Sequence, residues 1–539
     1  MLKKIILILS LFSIQAAAQK QANIWYFSNA GLNFNSGSPV ALTDNQMLPW
    51  STAEGTAVIS DENGSLLFYT DGLKVWDKTQ QVMSNSNGLN GNTSTSQGAL
   101  IIPMPDSCGK YYLFTIDEMG HPKGFCYSVV DLSLNNGLGD VTLKNIKLSD
   151  TIAEKMTAIY KPNNKDVWVI VHGYMNDLFY SYLITSAGIQ PPVITPIGKV
   201  INNTTDGVGQ MKISTQGNRI AVATKLGDMQ LYDFDISTGV LSNYMIFSVA
   251  TPYGVEFSPD GSKLYCNSAA VYPTSLFQFD LSVNTFAAIS ASKTLVSPVS
   301  GSGESSIQLA TDGKIYIAAS DAKKLDVINN PNNIGAACNY SSGQVDLAGK
   351  SCGWGLPNFI QSYFGNSYQH ISLDEVTYDN ILGNDTSLCL GQPFQLTASY
   401  EDYTITWKDG SSDSSITVTI PGTYSVKLSG FCHSILDSIK IDFQNCDNPK
   451  IVIPNIYSPN ADGVNDQFKF ELHGIRNFAF TIYNRWGLEL YVSNSAMEYW
   501  DGKLSSGKDA PDGVYYYVFE GETISRNEVS EKGFFTMIR

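Results

Sequence analysis

Residues 254–261 read Gly-Val-Glu-Phe-Ser-Pro-Asp-Gly, and a second apolar run, Lys263–Tyr265, follows almost at once. Val, Phe, Leu and Tyr favour strands. Ser-Pro-Asp-Gly fits a type I turn, with Pro at the second position and Gly at the fourth. This stretch therefore predicts a β-hairpin.

The same unit of strand, tight turn and strand occurs six times along the chain, and a third short strand follows each hairpin. Successive turn positions are separated by 45, 55, 53, 44 and 52 residues. This spacing is too long for the roughly 8 to 12-residue rhythm of a β-sandwich and is typical of the four-stranded blades of a β-propeller. The turn positions are Gly64, Gly109, Asn164, Gly217, Gly261 and Gly313.

Two further segments predict how such a ring would close. Asn23–Phe27 is similar to the third strands, and Gly355–Phe359 is similar to the first strands. We expect the two segments to share one blade, because ring closure removes exposed sheet edges. The sequence thus predicts an all-β fold with a propeller over residues 20–365, of seven blades or, alternatively, six. The repeats resemble those of YVTN-type and surface-layer propellers.

Residues 383–446 differ in character from the repeats. Cys389, Trp407 and Cys432 occur in this order within a strand-rich segment. The order fits a small immunoglobulin-like or PKD-like sandwich. We expect a disulfide between Cys389 and Cys432, which would stabilise so small a core by about 3 to 4 kcal/mol on the chain-entropy model.

The other six cysteines have no such context. Spacing alone suggests Cys108 with Cys126 and Cys338 with Cys352. No C-x-x-C motif occurs in the chain, which argues against a structural zinc site or a thioredoxin-like motif. The sequence leaves open the pairing of Cys108, Cys126, Cys266, Cys338, Cys352 and Cys446.

Composition and charge restrict the class of protein. With 43% hydrophobic and 12% aromatic residues among 539, the chain has enough apolar residues for several folded domains. Its net charge of -16 at pH 7 argues against a nucleic-acid partner, because phosphates would be repelled.

The N-terminus has the pattern of a secretory signal peptide. Lys3 and Lys4 precede an apolar run, Ile5–Ile14, and the small residues Ala16–Ala18 follow it. The run is about half as long as a membrane-spanning helix needs to be, and no later run approaches that length. We therefore expect residues 1–18 to be removed on export, leaving no transmembrane segment in the mature chain.

The segment from 449 to 539 predicts a second β-sandwich and carries five ordered sequence blocks. Among them are Ile482-Tyr-Asn-Arg-Trp-Gly487 and Trp500-Asp-Gly502. The blocks resemble the gliding-motility-associated C-terminal domain, the type B sorting signal of the type IX secretion system. Tyr457, Ser458 and Ala461 replace residues that this family usually carries. The motif residues are Pro454, Asn455, Pro459, Asn460, Asp462, Gly463, Asn465, Asp466, Asn484, Arg485, Trp486, Gly487, Trp500, Asp501, Gly502, Gly513 and Tyr515.

This resemblance implies a location and partners. Such domains direct an exported protein through an outer-membrane translocon to the cell surface of a Gram-negative bacterium or into the medium. The implied partners are the translocon and associated surface-anchoring proteins. PKD-like modules often stand just upstream of such domains, as the segment 383–446 does here. We therefore expect residues 449–539 to act as an address and to perform no chemistry.

Candidate metal and catalytic residues are few. Asn460, Asp462, Asn465 and Asp466 form an oxygen-rich loop of the kind that binds calcium, although turn chemistry explains the same residues. Ser351 stands in a G-x-S-x-G pattern, but no helix-forming residues follow, as a hydrolase nucleophile would need. No two histidines have the spacing of a zinc enzyme. The sequence therefore predicts no catalytic residue and no cofactor other than calcium.

The remaining signal is aromatic. Trp50 and Tyr272 lie beside prolines in loops, and such residues can stack on sugar rings. We expect a binding or adhesion module with a carbohydrate or protein ligand. Two alternatives stay open: a propeller enzyme, either a polysaccharide lyase or a hydrolase, and a structural surface-layer component.

Overall fold

The computed structural model describes residues 19–48, 54–268, 274–298, 305–318, 320–365, 375–378, 380–389, 393–398, 403–429, 433–444, 449–460, 465–495, 499–523 and 526–539. The chain divides into two compact units, residues 1–373 and 374–539. Both consist almost entirely of strands, which confirms the expected all-β fold. Within the ranges just given, no helix has the length and apolar character needed to cross a membrane. The predicted signal peptide lies outside these ranges.

The described part of the N-terminal unit contains seven antiparallel sheets in chain order. Strands that follow one another in sequence generally pair, as in a meander; β15 is an exception, pairing with β13. Short helices lie at Thr204–Gly207 and Phe286–Ala291, and 3-10 turns at Glu118–Gly120, Gly335–Cys338 and Gln361–Phe364. The strands are β1 Ile24–Phe27, β2 Ala30–Asn33 and β3 Val40–Leu42 in sheet 1; β4 Ala57–Ser60, β5 Leu66–Thr70 and β6 Val75–Asp77 in sheet 2; β7 Ala99–Pro103, β8 Lys110–Ile116, β9 Phe125–Asp131 and β10 Asp140–Ser149 in sheet 3; β11 Ile152–Tyr160, β12 Val167–Gly173, β13 Asn176–Thr185, β14 Gly188–Ile189 and β15 Val193–Ile201 in sheet 4; β16 Met211–Ile213, β17 Arg219–Thr224, β18 Asp228–Asp235 and β19 Val240–Ser248 in sheet 5; β20 Pro252–Phe257, β21 Lys263–Ser268, β22 Ser275–Asp280 and β23 Thr294–Pro298 in sheet 6; β24 Ile307–Leu309, β25 Ile315–Ile317, β26 Lys324–Ile328 and β27 Tyr340–Asp346 in sheet 7.

All six predicted hairpins are present, as the first two strands of sheets 2 to 7. The six predicted turn positions all have positive φ, between 57° and 84°, a conformation that Gly and Asn adopt at little cost. In the turn that opened the sequence analysis, the amide of Gly261 donates to the carbonyl oxygen of Ser258 at 2.8 Å. Local turn chemistry therefore sets the positions of the sheets along the chain.

The first strands of the sheets are buried. β4, β11 and β20 contain only buried residues, whereas most residues of the last strands β10 and β19 are exposed or half-buried. First strands of consecutive sheets also lie side by side, as β4 does with β7 and β20 does with β24. The apolar runs of the hairpins thus form the interior of the unit.

Side chains of the first and last sheets pack against each other. β1 pairs with β2 of its own sheet, so the predicted blade shared by Asn23–Phe27 and Gly355–Phe359 is wrong. The indole of Trp25 is fully buried, with its centroid 5.6 Å from that of Tyr316 in β25. A partner strand a few residues away costs far less loop-closure entropy than one more than 300 residues away, which explains the local pairing.

The segment from Trp354 to Phe364 lies against first strands of other sheets. The amide of Asn358 donates to the carbonyl of Thr56 at 2.9 Å, and its side-chain nitrogen donates to the carbonyl of Met156 at 3.1 Å. These contacts connect the regions of sheets 2 and 4. The segment therefore helps to hold the interior together without adding a strand to sheet 1.

The C-terminal unit contains two clusters of buried apolar residues. The first surrounds Trp407, whose indole nitrogen donates to the carbonyl of Asp413 at 2.8 Å. Its strands form a five-stranded and a two-stranded sheet, in agreement with the small sandwich predicted here. The strands are β28 Glu375–Tyr378, β29 Thr386–Cys389, β31 Thr404–Trp407, β33 Gly422–Ser429 and β34 His433–Gln444 in the larger sheet, and β30 Phe394–Thr397 and β32 Ser415–Val418 in the smaller.

The second cluster is rich in phenylalanine and includes Phe480, Phe519 and Phe535. Its sheet has the order β36-β41-β40-β38-β39. A two-stranded sheet, β35 with β37, accompanies it. The strands are β35 Lys450–Val452, β36 Ile456–Tyr457, β37 Glu471–His473, β38 Ile475–Tyr483, β39 Glu489–Ser493, β40 Gly513–Thr523 and β41 Glu528–Met537.

Candidate functional site

Three of the C-terminal blocks meet in the core of the last domain. The hydroxyl of Tyr457 donates to the carbonyl of Trp500 at 2.8 Å. The indole of Trp500 is buried, lies 5.2 Å from the ring of Tyr515, and donates through its nitrogen to the carbonyl of Lys503 at 2.8 Å. Because these aromatic side chains are enclosed, their role in the motif is to fold the domain.

The last residue of the chain fastens a loop of the same domain. The guanidinium of Arg539 donates to the carbonyl oxygens of Gly502, at 2.7 Å, and Ala510, and lies 3.6 Å from a carboxylate oxygen of Asp509. Gly502 has a φ of +76°, and a Cβ atom there would lie 2.9 Å from Pro459. Both the backbone angle and the space therefore require glycine in the Trp-Asp-Gly block.

Other motif residues shape the ends of strands. The carbonyl of Asn455, which follows Pro454, accepts from the amide of Thr536 at 2.9 Å. A carboxylate oxygen of Asp501 accepts from the amide of Lys503 at 3.1 Å. Gly513 begins β40 with a φ of +147°. These contacts account for the residue types without any ligand.

The turn Asn484–Gly487 joins β38 to β39. The side-chain oxygen of Asn484 accepts from the amides of Trp486 at 3.0 Å and Leu488 at 2.9 Å, and Gly487 has a φ of +79°. The indole of Trp486 is 79% exposed, and the guanidinium of Arg485 lies 5.3 Å from its centroid. Asn484 and Gly487 thus form the turn, while Trp486 contributes little to the core.

The predicted calcium loop is described in part. Asn465 has a φ of +56°, and its carbonyl accepts from the amide of Ser458 at 3.2 Å. The carbonyl of Asp466 accepts from the hydroxyl of Tyr457 at 3.3 Å. Across the part of the chain that the structure describes, no group of three or more His, Cys, Asp or Glu could hold a metal ion, and calcium here stays a prediction. Asn460 is described, whereas Asp462 and Gly463 lie outside the described residues.

The cysteines differ from two of the expected pairings. Cys126 and Cys338 carry free thiols. The predicted pairs Cys108 with Cys126 and Cys338 with Cys352 are therefore wrong. In the pairing of β8 with β9, Cys126 lies opposite Thr115 and not opposite a cysteine. Cys108 and Cys389 are both disulfide-bonded. The predicted partner of Cys389, Cys432, lies outside the described residues, and that pairing stays a prediction.

The two predicted ligand contacts, Trp50 and Tyr272, also lie outside the described residues. Close to the first of them in sequence, the structure shows a cleft of about 430 Å³ beside sheet 2, which we call the acid cleft. Apolar walls from Met47, Leu73 and Leu89 enclose several polar groups. The polar and charged lining residues are Glu54, Thr56, Asp71, Lys74, Asn87, Thr93 and Lys123.

Glu54 is the most unusual residue of the acid cleft. Its carboxylate accepts from the hydroxyl of Tyr253 at 2.5 Å, and the side chain is 2% exposed. Burial, and then the nearby charge of Glu154, raise the pKa of Glu54 well above its ordinary value. Ser96 connects the two acids, since it hydrogen-bonds to Glu54 and donates to Glu154 at 2.9 Å. Glu54 is therefore a buried acid with a raised pKa at the edge of a cleft.

A second feature of the acid cleft also points to a ligand or to bound water. The hydroxyl oxygen of Thr56 is buried and has no hydrogen-bond partner among the residues that the structure describes. Burial also raises the pKa of Asp71. A buried hydroxyl without a partner costs free energy, so a hydrogen-bonding molecule in the acid cleft would relieve that cost.

Other buried charges belong to the interior and are satisfied there. The ammonium of Lys155 donates to three carbonyl oxygens, those of Val208, Gly209 and Ala223, at 2.7 to 3.0 Å. Lys212 lies 3.7 Å from Glu256, with both side chains fully buried. These groups join neighbouring sheets, and the three donors of Lys155 are all used there.

His172 and Ser351 are both held in ways that differ from a catalytic arrangement. His172 is buried against Phe179, and burial lowers its pKa to about 4, so it is neutral. The amide of Ser351 donates to the side-chain oxygen of Asn29 at 3.1 Å, in irregular backbone that no helix follows. The expectation that the G-x-S-x-G pattern is not a nucleophile turn therefore agrees with the structure.

Sequence reasoning missed the acid cleft. One signal was available, because charged residues stand in or beside strands that are otherwise apolar. Glu54 precedes β4, Glu154 lies in β11 and Glu256 lies in β20. An acid in a fully buried strand needs a partner, and the sequence alone does not show that Tyr253, 199 residues away, provides one for Glu54.

Comparisons with known structures give likenesses of low identity. A protein of unknown function from Desulfotomaculum acetoxidans DSM 771 matches at 14% identity and a TM-score of 0.38, over 62% of this chain and 99% of its own. Hsv2 of Kluyveromyces lactis matches at 11% and 0.35, over 57% and 90%. PorZ of Porphyromonas gingivalis, an essential surface component of the type IX secretion system, matches at 10% and 0.28, over 97% and 69%. At these TM-scores we draw no argument from the likenesses.

A comparison with curated proteins found no match. A comparison with protein families matched residues 451–537 to the CHU_C type IX secretion signal domain. That range covers the buried aromatic core, the Asn484–Gly487 turn and the loop that Arg539 fastens. The match confirms the sorting-domain resemblance for the C-terminal segment and supports export of the chain by the type IX secretion system.

Proposed function

We propose that the chain is a binding or adhesion protein that the type IX secretion system delivers to the surface of a Gram-negative bacterium or into the medium. The observation that carries the export step is the match of residues 451–537 to a secretion signal domain. The partners on that route are the outer-membrane translocon and its associated surface-anchoring proteins. The N-terminal unit is then the cargo.

Deletion of the signal domain tests the export step. Removing residues 449–539 should leave the N-terminal unit in the periplasm, because that unit has its own core and should fold without the deleted segment. Protease treatment of intact cells, followed by detection of the N-terminal unit, measures surface display. Display of the truncated chain at the level of the intact chain would contradict this route.

We propose further that the N-terminal unit is a seven-bladed propeller, with one blade for each of its seven sheets. Support comes from the chain order of the sheets, the side-by-side packing of first strands, and the contact of Trp25 with Tyr316 between the first and last sheets. The blades of a propeller surround a central channel. The acid cleft lies beside sheet 2 of this unit.

The proposed ligand site is the acid cleft. Its volume of about 430 Å³ suits a small ligand or one or two sugar units. The raised pKa of Glu54 and the hydroxyl of Thr56, which has no partner among the described residues, favour a neutral, hydroxyl-bearing ligand. Trp50 stays our predicted stacking contact for the same ligand. A carbohydrate fits this chemistry best, and a protein ligand is the alternative.

Binding to a glycan and peptide array tests this site. We expect residues 19–373 to bind a subset of glycans, and Thr56→Val to weaken binding because it removes the hydroxyl while preserving the shape. The matched control is Thr142→Val, a substitution at an exposed position of β10 away from the cleft. Equal binding by both variants would show that the ligand lies elsewhere.

One observation favours a second function, an extracellular polysaccharide lyase or hydrolase. Glu54 and Glu154 interact and Glu54 has a raised pKa, as a general acid at neutral pH requires. An activity screen on polysaccharides with the intact unit and Glu54→Gln separates the two functions. Turnover that Glu54→Gln abolishes supports the enzyme, and binding without turnover supports the adhesion module.

A further inference from the structure

The larger sheet of the signal domain has one buried and one exposed face. Along β40, the side chains of Tyr515, Tyr517 and Phe519 point into the core. The alternate residues Val514 and Tyr516 lie on the other face and are 39% and 48% exposed. A solvent-facing side of an antiparallel sheet normally carries polar residues.

Here that face is apolar across neighbouring strands. Tyr516 pairs directly with Phe534 of β41 and with Tyr483 of β38, which gives a row of three aromatic residues across three strands. The rings of Tyr516 and Phe534 lie 6.5 Å apart. We define the signal face by five side chains that are 39% to 63% exposed: Ile456, Val492, Val514, Tyr516 and Phe534.

The registers place these side chains on one surface. Val514 pairs with Thr536, and Thr536 pairs in turn with Ile456 at one side of the sheet. At the other side Val492 pairs with Thr481. The signal face therefore has side chains on four of the five strands, and Tyr483 of β38 joins its aromatic row. An exposed surface with this many apolar side chains marks an interaction site.

Charge contributes little to this surface. Lys532 pairs with Val518 and Glu489 pairs with Tyr483, so one cation and one anion border the aromatic row. The exposed Trp486 follows Tyr483 by three residues, in the turn that leads into β39. A partner that binds here must therefore offer apolar pockets for aromatic side chains, because the surface has almost no net charge.

We propose that the signal face is the surface by which a protein component of the type IX secretion system binds this domain. This inference rests on the export function proposed above. The domain matches a secretion signal, and a signal is read through its surface. The motif aromatics Trp500 and Tyr515, and Tyr457 beside them, are enclosed and shape the domain. The signal face is an exposed apolar surface within the same residue range.

The test uses the full chain in the organism's own secretion system. The double variant Tyr516→Thr and Phe534→Thr removes two aromatic rings while keeping a residue that favours strands. We expect surface display to fall at least tenfold and the folded protein to accumulate in the periplasm. The matched control, Ile420→Thr, removes an equally exposed apolar side chain from the neighbouring sandwich and should leave display unchanged.

A second measurement covers the case in which the double variant fails to fold. A photo-crosslinking amino acid at position 534 of the otherwise unchanged chain should form an adduct that mass spectrometry identifies as a secretion-system component. The same amino acid at position 530, a polar position on β41, is the control. An adduct to a second copy of this chain, or to lipid, would overturn the proposal.

The outcomes separate this inference from the export function. Normal display of the double variant, together with failure of the chain that lacks residues 449–539, overturns the signal face alone. Normal display of both chains overturns the export function as well. Loss of display only in the variants that alter the face, with folding intact, is the expected result.

Discussion

Replacing Glu54 by Gln should change how stability depends on pH in the N-terminal unit. The folded state retains the proton of Glu54 to a higher pH than the unfolded chain does, because burial and the charge of Glu154 raise the pKa of this residue. The unfolded chain loses that proton above its ordinary pKa of about 4.5. The stabilisation is therefore complete below about pH 4.5 and is lost as the pH rises toward the folded pKa.

The magnitude follows from the number of protons involved. One proton retained by the folded state alone corresponds to about 1.4 kcal/mol for each pH unit. Between pH 5 and pH 7 the free energy of unfolding should thus fall by up to about 3 kcal/mol because of this group. Gln has the shape of a protonated Glu, still accepts from Tyr253, and does not titrate, so the variant should lose this pH dependence.

Urea unfolding of residues 19–373 at pH 5, 6 and 7, followed by tryptophan fluorescence, measures the effect. The matched control is Glu62→Gln, which alters an exposed glutamate in the turn between β4 and β5. We expect the control to follow the unaltered protein at every pH. If the stability of Glu54→Gln depends on pH in the same way as that of the unaltered protein, Glu54 ionises alike in the folded and unfolded states, and the reasoning fails.

Three further predictions concern packing and covalent state. Trp25→Ala should lower the free energy of unfolding of the N-terminal unit by about 3 to 5 kcal/mol, because a fully buried ring between sheets is lost. Trp486→Ala should change the free energy of unfolding of the C-terminal unit by less than about 0.5 kcal/mol, because this ring is exposed. Urea denaturation measures both effects. Cys126 and Cys266 should react with iodoacetamide only after unfolding, because both thiols are buried, and mass spectrometry of labelled protein checks this. Gly502→Ala should lower the melting temperature of the signal domain, because alanine is strained at a φ of +76° and its Cβ lacks space.

Much of the fold was predictable because its determinants are local. The turn at Ser258–Gly261 is specified by four adjacent residues, and the other five turn positions have the expected positive φ. The hairpins and the third strands followed from the same short patterns. The blocks around Trp500 and Asn484 likewise predicted the signal domain, because turn formation and an enclosed aromatic core constrain residue types over short distances.

The sequence by itself therefore determined the all-β class, the positions of the hairpins and the identity of the C-terminal signal domain. Only the tertiary structure decided that β1 pairs with β2 while Trp25 packs on Tyr316, that Cys126 keeps a free thiol, and that Glu54 meets Tyr253 beside a cleft. Each of these contacts depends on which sheets become neighbours. Which sheets become neighbours depends on chain distance, loop entropy and the packing of whole sheets together, so no short stretch of residues encodes it.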